Sequence, residues 1–178
     1  MWYVMQVVGG KEHKVLRQVE KLVDEDAYVK CFTPSYELKK RYSGEWKLHR
    51  EVLFPGYAFV ETKTPEKFAA QLQRVPEMVR LLSSGEDDAG NSNFIPLTDE
   101  EKTLISAFTG NEDHVMKMSE GIIEGQNVVV MKGPLMNQEF LVKKIDRHKR
   151  LAYLEVPICG RTVSVKAGLE IVRKKLNN

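Results

Sequence analysis

The chain has 178 residues, is 42% hydrophobic and 29% charged, and carries a formal net charge of +2. That length suits one medium domain or two small ones, and no apolar run approaches the roughly 20 residues of a membrane helix. Cys31 and Cys159 lie far apart and form no CxxC pair. They read as two reduced thiols of a cytoplasmic protein, not as a disulfide framework or a metal site. The opening Met-Trp-Tyr-Val-Met-Gln has neither a basic stretch nor a cleavage site, so no signal peptide is expected.

Trp2 to Val8 is aromatic and β-branched and predicts a strand, broken by Gly9-Gly10. A helix is expected from about Lys11 to Val23, with Val15, Leu16, Val19, Leu22 and Val23 on one face. Tyr28 to Thr33 predicts a second strand, closed by Pro34. Tyr36 to Trp46 is polar and basic, and suits an exposed hairpin or loop with Gly44 at the turn. In Leu53 to Val60 the Pro55-Gly56 pair interrupts an apolar run, so the next strand should begin near Tyr57. Pro65 can open a short helix with Phe68, Ala69 and Leu72 inward, and Met78 to Leu82 reads as another strand.

Ser83 to Asn93 has the composition of a loop. Thr98 and Glu101 fit a capping box, followed by a helix with Leu104, Ile105 and Phe108 on its apolar face. Residues 110–120 lack periodicity and read as a linker. Beyond them, short strands are expected at Val128–Met131, Phe140–Ile145, Leu151–Val156, Thr162–Val165 and Leu169–Val172. Their turns fall at Gly133-Pro134, His148-Lys149, Cys159-Gly160 and Ala167-Gly168. The fold class is therefore α+β. An α/β sandwich with a mostly antiparallel sheet (1–109) precedes a linker (110–120) and a small five-stranded β-barrel (121–178). The charge divides similarly. Residues 1–119 hold 16 Lys and Arg against 19 Asp and Glu, a net of −3; residues 120–178 hold 11 against 6, a net of +5. A basic C-terminal unit raises the expectation of a polyanionic partner.

Residues that could carry catalysis are missing. His13, His49, His114 and His148 are isolated, and Glu86-Asp87-Asp88 reads as a solvated loop tip. No phosphate-binding glycine loop or nucleophile elbow occurs. No enzyme activity, cofactor or metal is expected.

Several segments, in order, resemble one family. Trp2 to Val7 resembles the opening strand of the NusG N-terminal (NGN) domain, and Pro34 with its charged hairpin resembles the next segment. Leu53-Phe54-Pro55-Gly56-Tyr57-Ala58-Phe59-Val60 looks like the family's FPGY signature. Gly125 to Val130 with Gly133-Pro134 resembles the start of a KOW domain, an SH3-like barrel. The resemblance implies a monomeric transcription elongation factor. Its NGN domain would dock on the clamp helices of RNA polymerase, facing upstream and non-template DNA, and suppress pausing. Phe54, Pro55, Gly56 and Tyr57, with Trp2 at the border, are the residues implied for polymerase. Lys39, Lys40 and Arg41 are candidates for DNA.

The C-terminal unit departs from the family pattern. Leu135 and Gln138 stand where loop aromatics are usual, Phe140 where a glycine is, and Lys143-Lys144 where acidic residues often are. These departures set the chain apart from relatives that use this surface for Rho and the ribosomal protein NusE. Lys143, Lys144, Arg147, Lys149 and Arg150 crowd one predicted turn, and Lys132, Arg161, Lys166 and Arg173-Lys174-Lys175 could extend the surface. Alternation along a strand would send Lys143 and Lys144 to opposite faces. Such a cluster can neutralise several phosphates, and an Arg can read a guanine edge. With Tyr153 the nearest aromatic, a structured RNA hairpin is the expected ligand. The pattern resembles the LoaP subgroup of the family, antiterminators recruited by a leader RNA hairpin. A factor recruited by non-template DNA, as in the RfaH kind, a housekeeping NusG, and a ribosome-associated KOW protein remain as alternatives.

Overall fold

The computed structural model describes residues 1–172. In chain order the elements are β1 (Trp2–Val7), α1 (Glu12–Leu22), β2 (Lys30–Phe32), β3 (Ser35–Tyr42), β4 (Glu45–Val52), β5 (Tyr57–Glu61), α2 (Pro65–Leu72) and β6 (Val79–Leu81). There follow β7 (Ser83–Glu86), β8 (Ser92–Phe94), α3 (Asp99–Thr109), β9 (Val115–Met116) and β10 (Ser119–Glu124). The chain then forms β11 (Asn127–Lys132), β12 (Val142–Asp146), β13 (Leu151–Ile158) and β14 (Arg161–Ile171). Two compact units result. One comprises Met1–Thr33 and Phe54–Lys102; the other joins Pro34–Leu53 to the described residues from Thr103 onward. Among the described residues no helix is long and apolar enough to cross a membrane.

The first unit is built on a four-stranded sheet in the order β2-β5-β1-β6, with every neighbouring pair antiparallel. Strand alternation sorts its two faces. Tyr3, Met5 and Val7 of β1 and Ala58 and Val60 of β5 pack with Val15 and Val19 of α1 and with Phe68 and Leu72 of α2 in one buried cluster. Burying each of its Val, Leu, Met and Phe side chains contributes about 1.5–3 kcal/mol. Pro65 opens α2 at its first turn, as its missing amide allows. The other face carries a row of rings. Trp2 lies edge-on to Phe32 at 4.9 Å, Phe32 stacks on Phe59 at 5.6 Å, and Phe59 meets Phe54 at 5.5 Å. The capping box is present: the Glu101 amide donates to the Thr98 hydroxyl at 3.2 Å, and the Thr98 amide donates to Glu101 Oε2 at 3.0 Å. Ser83 to Asn93 is not a plain loop. β7 and β8 pair there around a turn in which Asp87 Oδ1 accepts from the amides of Ala89 and Asn91.

The second unit contains a five-stranded half-barrel sheet in the order β11-β10-β14-β13-β12 and a three-stranded sheet β4-β3-β9. Its strands differ from the expected five. β10 lies outside the expected strands, because Ser-Glu-Gly-Ile-Ile-Glu offers little alternation. Thr162–Val165 and all of Leu169–Val172 but its last residue belong to the single strand β14, and Ala167-Gly168 lies within it, not at a turn. Gly168 is there for close approach: a Cβ would collide with the Met118 sulfur and the Glu37 carbonyl of β3. Phe140 falls in a 3-10 turn, Glu139–Leu141, ahead of β12.

Residues 110–120 are also structured. β9 pairs in parallel with β3 through Ser35↔Val115 and Tyr36↔Met116, and β10 begins at Ser119. The basic hairpin expected to be exposed has a buried side. Ser43 and Gly44, both with positive φ, close it as a type I′ turn. Tyr36 and Leu38 are buried, and Lys39 Nζ donates to Glu170 of β14 at 2.7 Å. Alternation explains this, since every second residue of a basic strand remains free to be apolar.

Candidate nucleic-acid interface

The apolar turn comes first in the chain. Tyr57 N–H donates to the Phe54 carbonyl at 3.0 Å, and Gly56 has φ +84°. Pro at the second position and a left-handed Gly at the third are the demands of a type II turn. Glu12, buried at the start of α1, holds the turn: its Oε1 accepts the Gly56 amide at 2.7 Å and the Gly10 amide at 3.1 Å. The turn is rigid, but it does not present all the residues expected of it. Phe54 has no exposed surface and Trp2 only 4%. Both belong to the aromatic row of the sheet, because the residue before Pro55 and the first residue of β1 point to that face. Pro55 is exposed, and Gly56 and Tyr57 are half-buried. On β2, burial pushes the Cys31 thiol up to about 12, away from the thiolate form that a nucleophile needs.

The basic cluster is assembled by an irregularity. In the pairing of β12 with β13 the register shifts between Val142 and Lys144, so that Val142 faces Leu154 and Lys144 faces Tyr153. The extra residue is Lys143. A β-bulge breaks the alternation that would have sent Lys143 and Lys144 to opposite faces. Both instead line one groove of about 620 Å³ together with Arg147. Lys143 Nζ is 3.9 Å from Glu155, and Lys144 Nζ lies 5.7 Å from the centroid of the Tyr153 ring. Tyr153 is flanked on its other side by Lys166, its partner on β14. Arg147 is exposed and forms no ion pair among the described residues.

The remaining members are not equivalent. Asp146 Oδ1 accepts the Lys149 amide at 2.9 Å, and that bond holds its carboxyl below the usual range. Lys149 Nζ lies 4.0 Å from the same carboxylate, well exposed. Arg150 turns away. It closes the turn with φ +54°, its guanidinium stands 4.0 Å over the Trp46 ring, and Nη1 is 3.1 Å from Glu170. Lys132 ends β11 opposite Glu120. Arg161 sits at the far tip of the β13–β14 hairpin, about 26 Å along the strand from Arg150 at ~3.3 Å per residue. Neither joins the groove. Arg173, Lys174 and Lys175 lie outside the described residues.

Comparison with known proteins bears on what these surfaces serve. The family model described as "Transcription termination factor nusG" matches residues 1–106. The chain belongs to the NusG family. It is 26% identical over 169 residues to the transcription termination/antitermination protein NusG of Campylobacter jejuni, covering 93% of this chain and 92% of that one. The corresponding protein of Borreliella burgdorferi is 22% identical, with 97% of each chain covered. Among solved structures, that described as "Domain interaction in Thermotoga maritima NusG" has the same fold, with a TM-score of 0.55 at 23% identity over 94% of this chain and 92% of that one.

Within this NusG-family chain, the hairpin candidates for DNA are largely committed. Lys39 is bonded to Glu170, and Lys40 to Glu51, which also accepts from the Tyr36 hydroxyl at 2.9 Å. The Lys40 bond lowers the Glu51 carboxyl and raises the Lys40 ammonium. Arg41 Nε donates to the Gly44 carbonyl at 3.3 Å. Sequence reasoning missed three groups of consequence: Glu170, which anchors two cations; Trp46, which carries Arg150; and Phe140, which lies exposed in the basic groove. Only Phe140 had a signal, as a large apolar residue where the family resemblance leads one to expect glycine.

Proposed function

We propose that this NusG-type termination/antitermination factor acts as a processive antiterminator, recruited by a structured leader RNA. The RNA is held by Lys143, Lys144 and Arg147, with Lys149 and Lys166 at the border. RNA polymerase is engaged through the turn of Pro55, Gly56 and Tyr57, for which Phe54 and Trp2 form the packing beneath. The protein works by binding and performs no chemistry. The observation that carries this reading is a single groove lined by Lys143, Lys144 and Arg147, the two lysines sharing it across the bulge and Arg147 forming no ion pair among the described residues. Charges so arranged gain from phosphate contact and counterion release. Arg147 is then the base-reading candidate, since Arg150 is occupied by Glu170 and Trp46.

Recruitment by non-template DNA through the hairpin draws less support, because Lys39 and Lys40 already have carboxylate partners. The test is binding of the full-length protein to the leader transcript of its own operon across a salt series. The expected log K falls by about 0.7–0.9 per phosphate contact for each decade of salt. Read-through of a terminator downstream of that leader should depend on the same residues. A salt-independent affinity, or read-through that is unchanged when the leader is deleted, would sink the proposal.

A further inference from the structure

The groove that gathers Lys143, Lys144 and Arg147 also contains a phenyl ring that the fold does not use. Phe140 is 71% exposed, and no other large hydrophobic side chain among the described residues is as exposed. The backbone that carries the ring is nevertheless anchored on both sides. The ring projects from the 3-10 turn between Glu139, whose carboxylate accepts the Val130 amide at 3.0 Å, and Leu141, which is buried. The groove is lined from β11 and β12, the two edge strands of the half-barrel sheet, and Val142, Ile145, Gln126 and Asn127 are among its lining residues. Its volume of about 620 Å³ falls within the ~300–1,000 Å³ typical of sites for small organic groups.

Charge decides what class of group fits. Three cations line the groove against one carboxylate, Glu139, which is already engaged by a backbone amide. An acidic, flat, partly apolar ligand matches this surface. A nucleotide is such a ligand: its base stacks on an aromatic ring, its phosphates meet cations, and its edge can be read by amide or guanidinium groups. A base inside a continuous helix has its edge paired and both faces covered by stacked neighbours, and cannot lie on such a ring. Resting on the RNA-binding reading above, we propose that the groove takes one unpaired nucleotide of the RNA. The base stacks on Phe140, the flanking phosphates lie against Lys143, Lys144 and Arg147, and Gln126 or Asn127 faces the base edge. The recognised RNA is therefore a helix interrupted by a bulge or an extruded loop base, and Phe140 determines that specificity.

The test uses full-length protein and two blunt-ended RNA duplexes of the same length, one fully paired and one carrying a single bulged 2-aminopurine. At low salt the bulged probe should bind about tenfold tighter, the scale of one base–aromatic stack, and its fluorescence should be quenched on binding. Phe140→Ala should abolish the quench and the tenfold preference while leaving the paired duplex bound as before. Phe140→Trp should retain both. Because the ring is exposed, thermal melting of both variants should match the parent. Equal affinity of the parent protein for the two probes overturns the inference, as does a bulge preference that survives Phe140→Ala. A Phe140→Ala effect equal on both probes also overturns it, and would make the ring a general contact or a protein-docking surface. If the parent binds neither duplex at low salt, the RNA-binding reading itself falls, and this inference with it.

Discussion

Two basic runs of similar composition, Lys39-Lys40-Arg41 and Lys143-Lys144 with Arg147, have opposite fates in the same compact unit. The first is absorbed. Glu170 and Glu51 take its lysines, and a backbone carbonyl takes its arginine. The second remains in surplus, with its nearest carboxylate, Glu155, 3.9 Å from Lys143. A run of positive charge thus says little until its carboxylates are found. Those carboxylates can be far away in sequence: Glu170 is 131 residues from Lys39.

The same contrast between occupied and surplus groups separates two phenylalanines, and gives the largest expected effect. Phe54→Ala should lower unfolding free energy by about 3–5 kcal/mol, because it removes a fully buried ring. Phe140→Ala should change it by less than about 0.5 kcal/mol. Urea denaturation of both variants checks the pair, and similar losses would erase the distinction. Reversing the surplus run, with Lys143, Lys144 and Arg147 all changed to Glu, should weaken leader RNA on the order of 100-fold at moderate salt. Neutralising Lys39 and Lys40 to Gln should shift that affinity by no more than about threefold, the size of a weak surface electrostatic term. Comparable losses from both would mean that absorbed and surplus cations serve alike.

Smaller effects probe the absorbing carboxylates. Glu170→Gln should release Lys39 and Arg150, raise RNA affinity by about two- to threefold, and cost less than about 1 kcal/mol of stability. A drop in affinity would show that Glu170 arranges the surface. The smallest expected effect is in pH. The Lys39 hydrogen bond, aided by the charges of Lys39 and Arg150, holds the Glu170 carboxyl below its ordinary value of 4.5. A depressed folded value contributes stability above the unfolded value, and that contribution is lost as pH falls below about 4.5 and through the folded value. The melting temperature of the parent should therefore fall slightly more on acidification than that of Glu170→Gln. Parallel curves would remove Glu170 from this role.

Local signals were legible in the sequence. The Thr98–Glu101 capping box, the Pro65 helix start, the Pro55-Gly56 turn and the apolar face of α1 each depend on residues within a few positions, and the structure has them all. Pairings across long separations were not legible. β9 is two residues long and exists because β3 offers it an edge, so its composition looked like a linker. Gly168 suggested a turn because glycine marks turns and close approaches alike, and only the Glu37 carbonyl distinguishes them. At the candidate site the residue types were visible, but the bulge at Lys143 was not, since a register shift is a property of two strands. Without it the two lysines would face apart.

The insertion of β3 and β4 into the second unit has a consequence for synthesis. The hairpin leaves the ribosome well ahead of its partner strand β14, since Lys39 and Glu170 are 131 residues apart. At ~5–20 residues per second, the 131 residues between Lys39 and Glu170 correspond to about 7–26 s. For that time Tyr36 and Leu38 have no β14 to cover them, so the nascent hairpin is a sticky, solvent-facing ribbon. The interval between synthesis of β3 and of β14 is therefore one in which the hairpin is open to wrong contacts, and it should shorten if the hairpin is supplied with its partner strand in trans.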